Sequence, residues 1–155
     1  MGAMAFSVGD GLGIAALEIG FGSVWEAEGN ALAAVGRLFR AGADLVRDDA
    51  GTHALLDRAA RGEGPFSVHL LASERELGIW AALAGIPRGK TCTYAELAQQ
   101  AGLPRGYARS VGTLLAGNKI ALILPCHRVI PADGDAGKYR WGADLKADLL
   151  HTERR

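Results

Sequence analysis

The chain has 155 residues, of which 49% are hydrophobic and 22% are charged, and its formal net charge at neutral pH is zero. This length and composition predict a globular protein with one large domain or two small ones, and no apolar stretch approaches the roughly 20 residues that a membrane-spanning helix requires. No basic region precedes the first apolar segment, so no secretory signal is visible. Only Cys92 and Cys126 are present; they form neither a disulfide framework nor a CxxC zinc motif, which fits the cytoplasm.

Charge is distributed unevenly along the chain. Up to Glu76 there are six basic and eleven acidic residues, and from Leu77 onward there are eleven basic and six acidic ones. A basic half of this kind is typical of proteins that bind an anionic partner, although chance scatter over solvated surfaces gives the same count.

The first half of the chain predicts a small α/β unit. The segment “LGIAALEI” (Leu12 to Ile19) is short, apolar and flanked by glycines, which is typical of a strand, and “PFSVHL” at 65–70 indicates another. Between them, residues 30–42 show helical spacing behind a possible cap at Asn30, and residues 52–62 predict a second helix that ends at Gly62. His53 and His69 stand alone, so this half offers no catalytic cluster.

The second half begins with a predicted helix whose start and end are both marked in the sequence. Ser73 and Glu76 form a capping-box pattern ahead of residues expected to face inward, namely Leu77, Trp80 and Leu83. Pro87 and Gly89 end this helix.

A predicted helix-turn-helix unit follows. Thr93 and Glu96 form a second capping box, which opens a short helix ending at Gly102. Pro104 stands where a first helical residue is expected, and a second helix runs from there to Gly117. One face of that second helix carries small side chains that allow close approach of another surface, either a helix or DNA: Gly106, Ala108, Ser110, Gly112 and Thr113.

The segment “LPCHRVIP” (Leu124 to Pro131) raises the question of catalysis. A free cysteine has a pKa of about 8.5, and a neighbouring base or cation that lowers it makes the sulfur a useful nucleophile. His127 and Arg128 follow Cys126, but adjacent side chains point in different directions, so a buried structural cysteine remains an alternative. A third group has to orient the histidine, and Glu153 in the predicted helix “DLKADLLHTE” is the candidate.

Spacing excludes two classes of enzyme. Zinc nucleobase deaminases need an HxE motif together with PCxxC, and neither occurs here. A papain-like protease needs its own local pattern and a histidine far downstream of the cysteine, whereas the only downstream candidate is His151 near the C-terminus.

Four segments carry a resemblance to a known family: “IPRGKTCTYAELA”, “ARSVG”, “NKIALILPCHRVIP” and “GKYRWGADLKADLLHTE”. Together they resemble the O6-alkylguanine-DNA alkyltransferase (methylated-DNA–protein-cysteine methyltransferase) family, strongly from Ile79 to Glu153 and more loosely before that. The “NK” and “YRWG” variants are similar to the C-terminal domain of the bacterial protein Ada.

This resemblance implies a function and a fold. The family repairs DNA by flipping an alkylated guanine out of the duplex and moving its O6-alkyl group irreversibly to a cysteine; O4-alkylthymine is a further substrate to expect. The implied fold is an α/β, ribonuclease-H-like domain over residues 1–74, followed by a mostly helical, winged-helix-like domain with a helix-turn-helix over residues 75–155. The implied partner is double-stranded DNA carrying O6-alkylguanine, which a monomer of the protein binds through the minor groove. No membrane partner is expected. We expect no cofactor and no metal, because the N-terminal cysteines and histidines of zinc-binding members are missing.

The resemblance also assigns roles around the cysteine. Cys126 matches the alkyl acceptor, His127 takes the thiol proton through a bound water, and Glu153 polarises the histidine. Tyr139 supports the leaving guanine oxygen. The backbone carbonyls around Cys126 and Val129 read the exocyclic amine of the base.

On the DNA side, Arg109 matches the arginine that fills the gap left in the base stack, with Ser110 beside it. Tyr94 matches the tyrosine near the flipped nucleotide, and Asn118 ties the recognition helix to the active-site turn. The helix from Arg105 to Ala116 is expected to lie in the minor groove.

One departure leaves alternatives open. This chain has one residue more than the family pattern between Pro104 and Arg109, so Arg105 competes for the role of the inserted arginine. A DNA-binding module that senses lesions without transferring alkyl groups is therefore a second hypothesis, and a thiol hydrolase of small molecules a third.

Overall fold

A computed structural model describes residues 2–8, 13–20, 49–66, 68, 70, 72–135 and 137–155. The chain divides into two compact units. The first takes the described residues up to 70 together with Lys119–Ile123, and the second takes Ala72–Asn118 and Leu124–Arg155. No helix in the described ranges is long and apolar enough to cross a membrane.

The first unit contains an antiparallel hairpin and a helix. Strand β2 (Gly13–Gly20) confirms the predicted strand to within one residue at each end, and it pairs with β1 (Gly2–Val8), which the sequence pattern does not predict. Helix α1 (Asp49–Arg61) confirms the helix predicted at 52–62 and begins three residues earlier. The helix predicted at 30–42 lies outside the described residues, as do residues 67 and 69 of the strand predicted at 65–70.

Helix α2 (Glu74–Ala84) begins at the predicted capping box. The Glu76 N–H donates to the Ser73 hydroxyl at 3.4 Å, and the Ser73 N–H donates to the Glu76 carboxylate at 2.8 Å. The buried face of α2 consists of Ile79, Trp80 and Leu83. The expectation that Leu77 faces inward is wrong, because it falls beside that face and is 44% exposed.

The second capping box is also confirmed. The Glu96 N–H donates to Thr93 Oγ1 at 3.2 Å, and the Thr93 N–H donates to Glu96 Oε2 at 2.7 Å. Helix α3 (Tyr94–Gln100) starts there and leads into a turn in which Gly102 has a φ of +74°, a conformation that residues with a Cβ rarely adopt.

The next helix does not begin as predicted. Pro104 is extended and caps a three-residue 3-10 helix, Arg105–Tyr107, before α4 (Ala108–Ala116) begins. The expectation of one regular helix with Pro104 as its first residue is therefore wrong. Because a 3-10 helix is wound more tightly than an α-helix, Arg105 and Arg109 are not simply one α-helical turn apart on a common face.

The remaining elements surround the turn that carries Cys126. A 3-10 turn, Cys126–Arg128, leads into β4 (Val129–Ile130), which pairs in parallel with β3 (Cys92–Thr93). Since β3 directly precedes α3, this pairing brings the cysteine turn next to the start of α3. Helix α5 (Ala143–Glu153) confirms the predicted C-terminal helix and completes the unit.

Candidate active site

Cys126 is buried at the start of its 3-10 turn, with 6% of its surface exposed. Asn118, just after α4, is 2% exposed. Its Nδ2 donates to the Leu124 carbonyl at 3.0 Å and to the Cys126 Sγ at 3.1 Å. One amide group therefore links the end of α4 to the cysteine turn and gives the sulfur a hydrogen-bond donor.

Burial raises the pKa of the Cys126 thiol above its ordinary value. The hydrogen bond from Asn118 and the positive charge of Lys146 oppose this effect without cancelling it. His127 and Arg128 follow Cys126 in sequence but are not among the groups that lower this pKa, because both side chains turn to Glu153. The resting thiol is therefore protonated near neutral pH, and any reaction at the sulfur has to remove that proton.

The predicted partner of His127 lies within hydrogen-bonding distance. His127 Nε2 is 3.0 Å from Glu153 Oε1, and the two side chains are 1% and 6% exposed. Arg128 holds the same carboxylate with two hydrogen bonds, from Nε to Oε2 at 2.9 Å and from Nη2 to Oε1 at 2.8 Å. Its Nη1 donates to the Ile86 carbonyl at 2.6 Å. The sequence did not reveal that Arg128 clamps Glu153.

This clamp sets the protonation states. Burial alone would raise the pKa of Glu153, but the hydrogen bonds and charges of His127 and Arg128 overcome it and hold the pKa well below its usual range. Glu153 is thus a carboxylate, which can only accept a hydrogen bond, so we assign a proton to Nε2 of His127. The other ring nitrogen, Nδ1, is buried and makes no hydrogen bond within the described residues. It is an unused proton acceptor one residue away from the sulfur.

Two tyrosines lie close to Cys126. The Tyr139 hydroxyl is buried and makes no hydrogen bond of ordinary geometry in the described part of the chain, and its ring meets that of His127 edge-on at a centroid distance of 6.4 Å. Burial and then the proximity of Cys126 raise the pKa of Tyr139, so its hydroxyl keeps its proton. The same two causes raise the pKa of Tyr94, which is half-buried at the start of α3.

A lysine that the sequence analysis did not single out also belongs to the site. Lys146 of α5 is fully buried, and its Nζ donates to the Val129 carbonyl at 2.7 Å. The carbonyl of Cys126 accepts the Val129 N–H. One signal was available: Lys146 precedes Glu153 by seven residues, two helical turns, so both lie on one face of α5.

The residues expected to contact DNA lie mostly on the exposed side of α4 and of the preceding 3-10 helix. Arg109 and Ser110 are exposed, and the Arg109 side chain makes no hydrogen bond or ion pair within the described residues. Arg105 is exposed too, but its Nη1 donates to Gln99 Oε1 at 3.1 Å. Gly112 faces inward instead, since a Cβ there would lie 3.7 Å from the Tyr94 ring.

Comparisons with known proteins agree with this geometry. The family model described as “6-O-methylguanine DNA methyltransferase, DNA binding domain” matches residues 74–155. The bifunctional transcriptional activator/DNA repair enzyme Ada of Escherichia coli is 47% identical over 75 residues, which cover 48% of this chain and 21% of Ada. A methylated-DNA–protein-cysteine methyltransferase of Mycolicibacterium paratuberculosis is 45% identical over 93 residues, which cover 60% of this chain and 56% of that protein. The chain spans less than two thirds of either relative.

The structural comparison extends further along the chain. The crystal structure of Mycobacterium tuberculosis OGT in complex with DNA is similar with a TM-score of 0.71 and 27% identity, covering 99% of this chain and 93% of that one. This similarity confirms the predicted two-domain architecture.

Proposed function

Because the chain belongs to the 6-O-methylguanine DNA methyltransferase family, we propose that it repairs DNA by transferring the alkyl group of O6-alkylguanine to Cys126 in one irreversible turnover. The observation that carries the proposal is the buried Cys126 sulfur, which accepts a hydrogen bond from Asn118 at 3.1 Å. The next residue, His127, is paired with Glu153. O4-alkylthymine is a second substrate of the same chemistry.

In the proposed reaction, Cys126 Sγ attacks the alkyl carbon on O6, so a sulfur–carbon bond forms as the carbon–oxygen bond breaks. His127 Nδ1 takes the thiol proton through a bound water, and the Glu153 carboxylate stabilises the resulting imidazolium. Tyr139, whose buried hydroxyl lies beside Cys126 and keeps its proton, donates to O6 as negative charge develops there. The thioether product is stable, so each molecule acts once.

The carbonyls of Cys126 and Val129 read the exocyclic amine of the base. Each already accepts one hydrogen bond, from the Val129 N–H and from Lys146 Nζ respectively. A carbonyl oxygen has two lone pairs, so each retains capacity for a second donor.

The proposed partner is duplex DNA, bound through its minor groove by the segment from Arg105 to Ala116. Arg109 occupies the space of the flipped nucleotide, Ser110 lies beside it, and Tyr94 contacts the flipped nucleotide. In the described part of the chain the Arg109 side chain makes no hydrogen bond or ion pair, whereas Arg105 binds Gln99, and this difference favours Arg109 for this role.

The finer features of the fold belong to the same proposal. We assign residues 1–74 to a ribonuclease-H-like domain and residues 75–155 to a winged-helix-like domain whose helix-turn-helix includes α3 and α4. The protein acts as a cytoplasmic monomer without a cofactor.

The test uses a duplex oligonucleotide that contains one O6-methylguanine. We expect peptide mass spectrometry to find one methyl group on Cys126 per protein molecule, and none after incubation with an unmodified duplex. Binding to the modified duplex without any methyl transfer would instead support the lesion-sensing module. A protein that neither binds nor reacts would contradict the proposal.

A further inference from the structure

Lys146 is a buried cation with no buried anion beside it. The residue is fully inaccessible to solvent, and its Nζ donates at 2.7 Å to a neutral group, the Val129 carbonyl. No carboxylate in the described ranges lies within ion-pair distance of Nζ. Lysine is almost never fully buried unless it is paired, because an uncompensated charge in a protein interior is unfavourable.

The anchor of Lys146 lies in the same short segment as the reactive sulfur. Val129 ends the turn that Cys126 begins, and its N–H donates back to the Cys126 carbonyl. The ammonium group is therefore held at one end of this single turn. Burial lowers the pKa of Lys146 and the nearby Cys126 opposes that effect, just as Lys146 opposes the effect of burial on the pKa of Cys126.

From this arrangement we propose that Lys146 is the counter-charge of the Cys126 thiolate, a positioning residue that stabilises the anion on the attacking sulfur. The inference rests on the proposed function, because only alkyl transfer makes the Cys126 sulfur an attacking group. The contacts of Lys146 from which it is argued lie within the protein itself. The thiol proton moves to His127, leaving a negative sulfur at one end of the turn and a positive nitrogen at the other, in a buried site where charges interact much more strongly than in water.

Other groups also face this pair. Tyr94, Tyr139 and Asn118 lie near the sulfur, and Asp135 is the other charged group that acts on Lys146. Burial keeps both tyrosines protonated, and Asp135 is exposed. Of the groups in the described ranges that lower the pKa of Cys126, Lys146 is therefore the only cation.

The experiment measures how fast iodoacetamide alkylates Cys126 as a function of pH, with iodide as the leaving group. A Cys92→Ser background leaves one thiol. In that background, Lys146→Met removes the charge and the hydrogen bond, Lys146→Gln removes the charge but keeps an N–H donor, and Lys138→Met removes an exposed charge as the matched control.

We expect both Lys146 variants to shift the midpoint of the rate profile upward by about one pH unit or more, which is about a tenfold loss of rate on the rising limb. The rate at high pH should recover, and Lys138→Met should follow the parent. A purely structural role would lower the rate at all pH values without moving the midpoint, and folded variants with an unmoved midpoint would overturn the proposal.

A reciprocal measurement needs no Lys146 variant. Coupling between two sites is mutual, so removing the thiolate in Cys126→Ala should lower the titration midpoint of Lys146. NMR of isotope-labelled lysine measures this midpoint. The chain has only four lysines, which makes assignment practical. An unchanged midpoint would contradict the proposal. Neither measurement uses DNA, so a failure of methyl transfer is distinguishable from a failure of this inference.

Discussion

The two cysteines of this chain are both buried but have different surroundings. Burial and then the charge of Glu96 raise the pKa of Cys92 to about 11, whereas Asn118 and Lys146 oppose the effect of burial at Cys126. We therefore expect Cys126→Ala to lose all methyl transfer while it still binds DNA, and Cys92→Ala to keep stoichiometric transfer. Transfer is measured with labelled methyl groups and binding by fluorescence anisotropy. Residual stoichiometric repair by Cys126→Ala would show that the acceptor is wrongly assigned.

Tyr139 allows catalysis to be separated from stability. Its buried hydroxyl lies beside the Cys126 sulfur and makes no hydrogen bond of ordinary geometry in the described residues, so Tyr139→Phe should leave the free energy of unfolding nearly unchanged. The same change removes the proposed donor to O6, and the rate of transfer should fall roughly 100-fold, as when one oxyanion donor is lost. Single-turnover kinetics and urea unfolding provide the two measurements. A stability loss matching the rate loss would indicate a structural role instead.

At the scale of elements, the start of α4 distinguishes the two arginines that could fill the proposed role in the base stack. Arg109 lies in the first turn of α4, while Arg105 lies in the preceding 3-10 helix and binds Gln99. We expect Arg109→Ala to slow repair of a duplex roughly tenfold or more, because a stacked guanidinium offsets on the order of 1–2 kcal/mol of the cost of flipping. Repair of the free modified base, which needs no flipping, should be nearly unchanged.

Arg105→Ala is the matched control for this prediction. Its loss should mainly weaken DNA binding, with the larger effect at low salt, because a phosphate contact contributes affinity and salt dependence. If the two variants exchange these behaviours, the extra residue after Pro104 has shifted the role to Arg105.

The elements that could be predicted from sequence are those with local causes. Both capping boxes join residues three apart, so the pattern around Ser73 and around Thr93 contains the whole interaction. The start of α4 was predicted wrongly because a proline before a helix is equally compatible with a 3-10 turn. Leu77 was predicted wrongly because helical spacing does not say where the buried face is centred.

The site follows the same division. Glu153 was accessible from sequence because a histidine beside a nucleophile needs an orienting acid, and the predicted C-terminal helix offers Glu153, to which the resemblance gives the same role. The clamp from Arg128 to Glu153 and the bond from Lys146 to Val129 join residues 25 and 17 positions apart. Such contacts depend on how the turn, β4 and α5 pack, which no local pattern contains.

On the scale of the whole molecule, Glu153 joins three distant parts of the second unit. Its carboxylate binds His127 and Arg128 of the cysteine turn, and it accepts the Gly89 N–H at 3.4 Å from the turn after α2. The backbone meets there as well, since a Cβ on Gly89 would lie 2.8 Å from the Glu153 carbonyl oxygen. The residue assigned to orient the catalytic histidine is thus also a structural link between both turns and the end of α5.

This link predicts how stability depends on pH. The pKa of Glu153 in the folded protein lies below its ordinary value of 4.5, so between these two values the unfolded chain binds more protons than the folded one. The stabilisation from Glu153 is therefore fully present above the unfolded-state pKa and is lost as pH falls towards the folded-state pKa. Glu153→Gln should cost about 3 kcal/mol near neutral pH, because it leaves Arg128, whose side chain is only 12% exposed, without its anion.

The difference in unfolding free energy between the parent and Glu153→Gln should then shrink as pH falls from about 5.5 through about 4. Urea unfolding followed by tryptophan fluorescence measures both proteins across this range. Asp148→Asn, which changes an exposed carboxyl on the same helix that makes no ion pair in the described residues, should track the parent throughout. A difference that stays constant as pH falls would mean that the Glu153 charge contributes nothing, and that the side chain stabilises the unit only by its shape.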